Sequence, residues 1–345
     1  MSVCDTANMI DLRSDTVTRP THAMRAAMAS ADVGDDVFGD DPSVNRLQQQ
    51  LAEKTGHEAG LFFPSGTQSN LAALMAHCGR GEEFVIGGLG HSFKYEAGGA
   101  AVLGSLWPQP LDYEPDGSLD LRKVEALIKP DDAHFARTRL LVLENTQNGR
   151  VLPLTYIKEA AGFARRHGLG IHLDGARVFN AAVKLGVLVR EITQHFDSVS
   201  ICLSKGLGCP VGTVLVGKRE LIQKAHRARK ILGGGLRQAG ILAAAGLYAL
   251  EHHVERLAED HANAQALAEG LAQIKQIKLD RTAVQTNMLF LEIQPQHAQP
   301  LAEHLRQAGI LILPGVRLRL VTHLDVSAAD VRRVIAAFQG YFGGR

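Results

Sequence analysis

The sequence of 345 residues has little cysteine and little net charge, and each shortage excludes a class of protein. Its four cysteines, Cys4, Cys78, Cys202 and Cys209, are too few and too irregularly spaced for a disulfide framework, so we expect free thiols. No CxxC pair or Cys/His cluster is present, so we expect no bound metal. With 37 basic and 36 acidic residues the net charge is +1, which argues against nucleic acid as a partner.

Long hydrophobic runs are also missing. No stretch reaches the ~18 apolar residues of a membrane-spanning helix, the longest candidate being 241–250, so we expect no membrane partner. The first fifteen residues contain neither a basic start nor an apolar block, so we expect no secretory signal and a cytoplasmic location. A composition of 46% hydrophobic and 21% charged residues is typical of a globular protein. A small molecule is the expected partner.

Strand-like and helix-like segments alternate in the first two thirds of the chain, which predicts an α/β fold with a mostly parallel sheet covered by helices. Residues 139–146 read as a buried strand, 156–168 as a helix and 170–176 as the next strand, which together make one βαβ unit. Further strands are predicted at 198–204 and 213–217, joined by a glycine-bearing turn.

The length fits two domains, since a domain has about 150 residues. Residues 241–274 form a long helical stretch, and we place His252, His253 and His261 on its solvent side. The predicted organisation is an extended N-terminal arm over 1–20, a large domain over 21–240 and a smaller C-terminal domain over 241–345.

Three segments carry residues that suit chemistry. In residues 61–78 a strand breaks at a proline and turns through Gly66 and Thr67 into a helix, whose free N–H groups would suit a phosphate. The same pattern is also typical of a simple helix cap. Asp174 ends a predicted buried strand, where open α/β sheets bind ligands, and it would there pair with a protonated ring nitrogen, cap the next helix or pair with Arg177. Lys205 follows the next strand, where burial would favour a neutral, nucleophilic amine.

The combination is more specific than its parts. A phosphate seat, an acid at one strand end and a lysine after the next are what pyridoxal 5′-phosphate requires of a protein. The phosphate would lie near Gly66 and Thr67, Asp174 would keep the pyridine nitrogen protonated, and Lys205 would bind the aldehyde.

From Met9 almost to its end, the sequence resembles the low-specificity threonine aldolases, which are pyridoxal-phosphate enzymes of the aspartate aminotransferase fold, fold type I. The matching blocks include IDLRSDTVTRP, VGDDVFGDDP, SGTQSNL, EAGGAAVLGS, LENTQNGRVLP, HLDGARVFNA and ICLSKGLGCPVG. The resemblance implies a large domain with a mostly parallel seven-stranded sheet and a smaller C-terminal α/β domain. It also implies a homo-oligomer, a tetramer built as a dimer of dimers.

The resemblance also implies roles for single residues. It makes Lys205 the cofactor lysine, with Asp174 on the ring nitrogen and His91 stacked on the ring. The expected substrate-carboxylate ligands are Ser14, Arg177 and Arg319. Arg177 and Arg237 are further candidates for the cofactor, Arg237 reaching it across a subunit boundary, and Tyr95 is a candidate for the substrate side. The β-hydroxyl proton would pass to His91, to His134 or to an ordered water.

The segment around His91 departs from the family. It reads GGLGHSFKYEAGG, where relatives more often carry alanines before the histidine. The preference between the threo and erythro substrates, which Lys94 and Tyr95 would influence, is therefore left open.

The predicted function is retro-aldol cleavage of L-threonine, L-allo-threonine and related β-hydroxy-α-amino acids to glycine and an aldehyde. The alternative on the same scaffold is a β-eliminating lyase or an aminotransferase. A nicotinamide-dependent oxidoreductase is disfavoured, because no GxGxxG turn follows an early strand with an acid about 20 residues later. A non-catalytic module that keeps the cofactor as a sensor would not turn threonine over.

Overall fold

The structure is a computed structural model and describes residues 9–343, so Cys4 and the first eight residues of the predicted arm lie outside the described residues. Eleven strands form in this part of the chain. They are β1 (Ile10–Asp11), β2 (Ala59–Phe63), β3 (Glu83–Gly87), β4 (Trp107–Leu111), β5 (Thr138–Glu144), β6 (Gly170–Asp174), β7 (Ser198–Cys202), β8 (Thr213–Gly217), β9 (Met288–Glu292), β10 (Ile310–Leu311) and β11 (Arg317–Val321).

Seven of these strands make the central sheet, in the order β2-β8-β7-β6-β5-β3-β4. All are parallel except β8, which pairs antiparallel with both β2 and β7. The strands are mostly apolar runs, as expected where helices cover both faces of a parallel sheet. The prediction of an α/β fold with a mostly parallel seven-stranded sheet is confirmed, and β8 pairs directly with β7 across the predicted turn.

Fourteen α-helices occur within residues 9–343. They are α1 (His22–Ala29), α2 (Pro42–Thr55), α3 (Gly66–His77), α4 (His91–Lys94), α5 (Gly99–Val102), α6 (Leu121–Leu127), α7 (Leu154–Arg166), α8 (Val178–Leu185), α9 (Val189–Thr193), α10 (Arg219–Ile231), α11 (Gly240–His252), α12 (Leu257–Leu271), α13 (Ala298–Gln307) and α14 (Ala328–Gly343). None of the described helices combines the length and the apolar character that crossing a bilayer requires.

Local sequence explains where the helices near the cofactor-binding candidates begin. Helix α2 starts with Asp41 as its N-cap, which accepts hydrogen bonds from two backbone N–H groups, and with Pro42 in its first turn. Helix α3 starts after Ser65, whose side chain accepts from the Gln68 N–H. From Ser69 onward helix α3 is mostly buried, so its polar residues Ser69 and Asn70 face the interior.

The apolar residues form two main cores. The larger one lies on one face of the central sheet and reaches Leu257, and it includes three alanines of α11, while two smaller clusters cover the other face. The second begins at Ala264, continues to the C-terminal helix and also takes in Ile10 and Leu12 of the arm. The cores therefore divide the chain between Leu257 and Ala264, later than the predicted boundary at 240, because α11 is apolar enough to pack on α1 and α2.

The predicted long helix over 241–274 is two helices, α11 and α12. The break falls at residues 253–256, where the His253 side chain is 4% exposed and its Nδ1 lies 2.7 Å from the carbonyl oxygen of Leu207. The placement of His253 on the solvent side was therefore wrong. This hydrogen bond ties the end of α11 to the turn that follows Lys205.

The arm connects the two cores. Strand β1 pairs in parallel with β10, and the Val321 N–H donates to the carbonyl of Leu12. At the other end of the arm, the Thr18 hydroxyl lies 3.0 Å from the carbonyl oxygen of Lys205. The arm thus passes from the second core to the edge of the central sheet.

Candidate active site

The carboxyl ends of three neighbouring strands meet at one edge of the central sheet. Glu144 ends β5 and pairs in register with Asp174, which ends β6, and Asp174 pairs with Ser200 in β7. Lys205 follows β7 by three residues. This edge is where open α/β sheets bind ligands.

Asp174 is 3% exposed and accepts two hydrogen bonds. One comes from Asn70 Nδ2, 2.9 Å from Oδ2, and the other from the Ala176 N–H, 3.1 Å from Oδ1. The sequence left three roles open for Asp174, and the structure contains the hydrogen bond from the following backbone to its carboxylate. Pairing with Arg177 is absent, because Arg177 binds another carboxylate.

The Lys205 amine belongs to the same electrostatic cluster, since its charge acts on His91, on Glu144 and on Asp15. The Lys205 carbonyl accepts from the Thr18 hydroxyl and from the Gly208 N–H, at 3.0 Å and 2.8 Å. Two backbone-directed bonds therefore fix the turn that carries the amine.

The start of α3 has the features of a phosphate cradle. Thr213 Oγ1 is buried and has no hydrogen-bond partner among the described residues. A Cβ placed on Gly66 would lie 3.8 Å from that oxygen, so the hydroxyl lies beside the helix N-terminus. Free N–H groups and an unpaired donor at a helix start fit a phosphate, and the phosphate contact of Gly66 and Thr67 stays a prediction.

His91 begins α4 and is held at two points. Its Nδ1 lies 2.8 Å from Glu96 Oε1, and its backbone N–H donates to Glu144 Oε2 over 2.9 Å. The hydrogen bond to Glu96 raises the pKa of His91 above its ordinary value of 6.5. Its imidazole is 43% exposed, and the ring of Tyr95 lies 5.8 Å away, so both predicted residues are at the mouth of the site.

Glu144 is an ionisable group that the sequence reasoning missed. Burial, reinforced by the charge of Asp174, raises its pKa to about 7. Tyr113 packs beside it, against the turn before His91. A Cβ at Gly87 would lie 2.0 Å from Tyr113 Cζ, and one at Gly90 would lie 3.0 Å from Tyr113 Oη. Contact with Tyr113 therefore explains why glycine stands at these two positions of the segment that departs from the family.

Two arginines face the arm. Arg177 donates from Nε and Nη2 to the two oxygens of Asp15, at 2.8 Å and 2.6 Å. Burial opposes ionisation of Asp15, but the charge and hydrogen bonds of Arg177, together with Lys205 and Asn287, outweigh it and lower the pKa of Asp15 to about 2. Arg319 donates to the Arg13 carbonyl over 3.0 Å, and burial together with the charge of Arg177 lowers the pKa of Arg319. Ser14 lies between these contacts, with its side chain accepting from the backbone of residue 16.

His134 and Arg237 are not brought to this edge within the chain. The His134 side chain is 87% exposed and bonds to Asp132, in the segment that precedes β5. Glu144 ends β5, and His134 lies toward the start of that strand, which has seven residues and is about 23 Å long. Arg237 is exposed and pairs with Asp35 over 2.9 Å. The resemblance-based expectation that His134 lies near the substrate hydroxyl is not met within one chain.

Four further residues of the site escaped the sequence reasoning: Asp15, Asn70, Glu96 and Thr213. Asn70 and Thr213 could have been noticed as polar residues that stand directly before the apolar runs of α3 and β8. Asp15 and Glu96 gave no such signal, because Asp15 pairs with Arg177 and Glu96 accepts from Asn70, which are both distant in sequence.

The ligand atoms of His91, Glu96 and Asp174 lie within 4.8 Å of one another, as they would around a metal ion. Hydrogen bonds already connect these groups, from His91 to Glu96 and from Asn70 to both carboxylates. The prediction that no metal is bound stays a prediction.

Known proteins resemble the chain over nearly its whole length. The family model described as beta-eliminating lyase matches residues 11–296. The low specificity L-threonine aldolase of Escherichia coli strain K12 is 55% identical over 333 residues, which cover 96% of this chain and 99% of that protein. A probable low-specificity L-threonine aldolase 2 of Arabidopsis thaliana is 45% identical over 98% of both chains.

Solved structures share the fold. A threonine aldolase of Leishmania major matches with a TM-score of 0.82 at 20% identity, covering 96% of this chain and 99% of its own. A putative L-allo-threonine aldolase of Listeria monocytogenes matches with a TM-score of 0.79 at 18% identity, covering 97% of both chains. The predicted fold type is confirmed by these structures.

Proposed function

This chain belongs to the beta-eliminating lyase family and, within it, to the low-specificity L-threonine aldolases, and we propose that it cleaves L-threonine and L-allo-threonine to glycine and acetaldehyde. Related β-hydroxy-α-amino acids would give glycine and the corresponding aldehyde. The observation that carries the proposal is the meeting of buried Asp174, the Lys205 turn and the pair Arg177 and Arg319 at one sheet edge.

The proposed cofactor is pyridoxal 5′-phosphate, and the residues present fit it. The unpaired Thr213 hydroxyl and the N–H groups at Gly66 and Thr67 would hold the phosphate, Asp174 would hold the ring nitrogen, and Lys205 would bind the aldehyde carbon. When bound, the cofactor would supply an electron-withdrawing ring that accepts the electron pair left at Cα as the Cα–Cβ bond breaks.

The arginines would orient the amino acid. Arg177 keeps Nη1 free of Asp15, and its fork is held rigid by that carboxylate, so it can present a fixed donor to the substrate carboxylate. Arg319 and the Ser14 hydroxyl lie on the same side, at the arm. Fixing the carboxylate decides which bond of Cα stands in position to break, which is a positioning effect.

The β-hydroxyl proton would pass to His91. Because Glu96 is an acceptor for Nδ1, the neutral ring would carry its hydrogen there and present the lone pair of Nε2. A hydrogen bond to a carboxylate makes the ring a stronger base. His134 is a weaker candidate within one chain, since it lies at the other end of β5.

The experiment incubates the purified protein with L-threonine and measures glycine, acetaldehyde and α-keto acid. Equal amounts of glycine and acetaldehyde support the proposal. The description of the matching family keeps β-elimination as the second candidate, and α-keto acid without glycine would establish it. Lys205→Ala should abolish turnover and the visible absorption of bound cofactor, while Lys218→Ala, an exposed lysine after β8, should not.

We also propose a homotetramer in the cytoplasm, in which Arg237 acts across a subunit boundary. The exposed position of Arg237 and the three buried free cysteines of the described residues support these two statements. A monomeric mass by light scattering would refute the tetramer and the cross-subunit role of Arg237. Recovery of the native protein outside the cytoplasmic fraction would refute the proposed location.

A further inference from the structure

Asn70 joins the two carboxylates of the site. It lies on α3, one turn after Gly66, and its side chain is 2% exposed. The amide nitrogen lies 3.0 Å from Glu96 Oε1 and 2.9 Å from Asp174 Oδ2. Both hydrogens of one amide are therefore used by two different acids, one on the His91 segment and one at the end of β6.

Only a neutral group with two donors suits this position. Burial and the charge of Asp174 raise the pKa of Glu96, so ionisation of Glu96 is disfavoured at this position. A donor shared between them offsets that cost, because a buried carboxylate without a donor is expensive. An alanine would leave both acids short of a bond, and a serine could satisfy one.

A chain of buried side chains determines which way the Asn70 amide faces. Asn70 Oδ1 lies 3.4 Å from His172 Nε2, His172 Nδ1 lies 2.8 Å from Ser198 Oγ, and Ser198 Oγ lies 2.8 Å from His77 Nε2. Burial lowers the pKa of His172 to about 3, so its ring is neutral and carries one hydrogen.

The direction of each hydrogen bond in this series of side chains follows from the two carboxylates at its end, Asp174 and Glu96. Carboxylates only accept, so the Asn70 nitrogen faces them and its oxygen faces His172. His172 must then carry its hydrogen on Nε2, the Ser198 hydroxyl must donate to Nδ1, and His77 must donate from Nε2. Every hydrogen bond points toward Asp174 and Glu96, and a reversed amide would set its oxygen against both acids.

We propose that Asn70 is a positioning residue that couples Asp174 to the Glu96–His91 pair, and that the chain His77–Ser198–His172 fixes the amide in the orientation this coupling needs. The inference deepens the proposed function, on which it rests for the role of the cofactor. It assigns α3 two tasks, since the helix that offers its N-terminus to the phosphate also orients the acid for the ring and the base for the substrate.

The coupling has a consequence for His91. The charged groups that face His91 are Glu96, Asp174, Glu144 and Lys205. Without Asn70 the Glu96 carboxyl loses a donor and binds its own proton more tightly, so it stabilises the imidazolium less. The pKa of His91 should then fall.

The test compares Asn70→Ala with Ser69→Ala, a buried neighbour on α3 that bonds to Ser200 and to neither acid of the site. Diethyl pyrocarbonate, which attacks the neutral imidazole, is applied across pH to the full chain freed of cofactor, and modification of His91 is followed by mass spectrometry. The half-maximal pH of His91 should fall by about one unit in Asn70→Ala and stay at the wild-type value in Ser69→Ala. The dissociation constant of pyridoxal 5′-phosphate should rise about tenfold in Asn70→Ala only.

A folded Asn70→Ala protein with the wild-type His91 titration overturns the proposal. Should that variant not fold, Asn70→Ser replaces it and must shift the titration in the same direction. His172→Leu, which removes both the donor and the acceptor, should reproduce the shift to a smaller extent, and no shift there removes the series His77–Ser198–His172 from the proposal. If the wild type binds no pyridoxal 5′-phosphate, the proposed function fails, while the His91 titration still decides on Asn70.

Discussion

Replacing Asp15 by asparagine tests the contact between the arm and Arg177. Asp15 is fully buried, and both its oxygens accept from the Arg177 guanidinium. Breaking a buried ion pair from one side costs about 3–5 kcal/mol, because the remaining charge is left without a partner. For 345 residues that corresponds to a fall of about 4–7 °C in the thermal midpoint.

Asp11→Asn is the matched control. Asp11 lies on the same arm and pairs with Arg13 over 2.6 Å, but the Arg13 side chain is 40% exposed. Exposed pairs contribute about 0–1 kcal/mol, so the midpoint should fall by less than about 1.5 °C. Scanning calorimetry or far-ultraviolet circular dichroism measures both. Equal shifts in the two variants would refute the reasoning.

The same pair predicts a pH dependence. The pKa of Asp15 is lowered from 3.8 to about 2 in the folded protein, so its contribution to stability is present above pH 3.8 and is lost as the pH falls toward 2. The difference in midpoint between wild type and Asp15→Asn should therefore stay constant from pH 7 to about 4 and narrow below that. The Michaelis constant for threonine should also rise in Asp15→Asn, since Arg177 loses its fixed orientation.

Thr213→Val should raise the dissociation constant of pyridoxal 5′-phosphate about tenfold or more and leave that of pyridoxal, which lacks the phosphate, unchanged, as measured by equilibrium titration. Equal losses of affinity for both ligands would contradict a phosphate contact. Glu96→Gln should lower the pKa of His91, because it replaces a charged acceptor by a neutral amide that stabilises the imidazolium less, and should move the acidic limb of the rate profile for kcat/KM to lower pH; an unmoved limb would exclude His91 as the base. Arg229→Met, on α10, should cost about 3–5 kcal/mol because it strands buried Asp36, whereas exposed Arg227→Met on the same helix should be nearly neutral in urea denaturation.

The sequence predicted the parts of the site that lie at strand ends or helix starts. Asp174 and Lys205 follow apolar strands, and Gly66 and Thr67 begin a helix, so pattern and position coincide. The fold followed for the same reason, since alternating strands and helices admit few topologies.

What the sequence did not show depends on contacts between distant residues. Asp15 and Arg177 are 162 positions apart, and Asn70 and Asp174 are 104 apart, so no local pattern joins them. His253 failed for a related reason, because its partner Leu207 lies in another element and no glycine or proline marks the end of α11. Arg229 reads as one charge in a basic run, yet the charged residues beside it, Arg227 and Lys230, are exposed while it is buried against Asp36.

One short segment, the N-terminal arm, contacts three separate parts of the molecule. Between Ile10 and Thr18 it pairs with β10, engages Arg177 and holds the carbonyl of Lys205. A protease that cut the chain between the arm and α1 would leave Ile10 and Leu12 packed in the second core, but it would free the Thr18 end of the arm, which holds the carbonyl of Lys205. Catalytic activity should then be lost while the cut protein is still folded. The rate of activity loss during limited digestion therefore measures how tightly the arm is bound to the rest of the molecule.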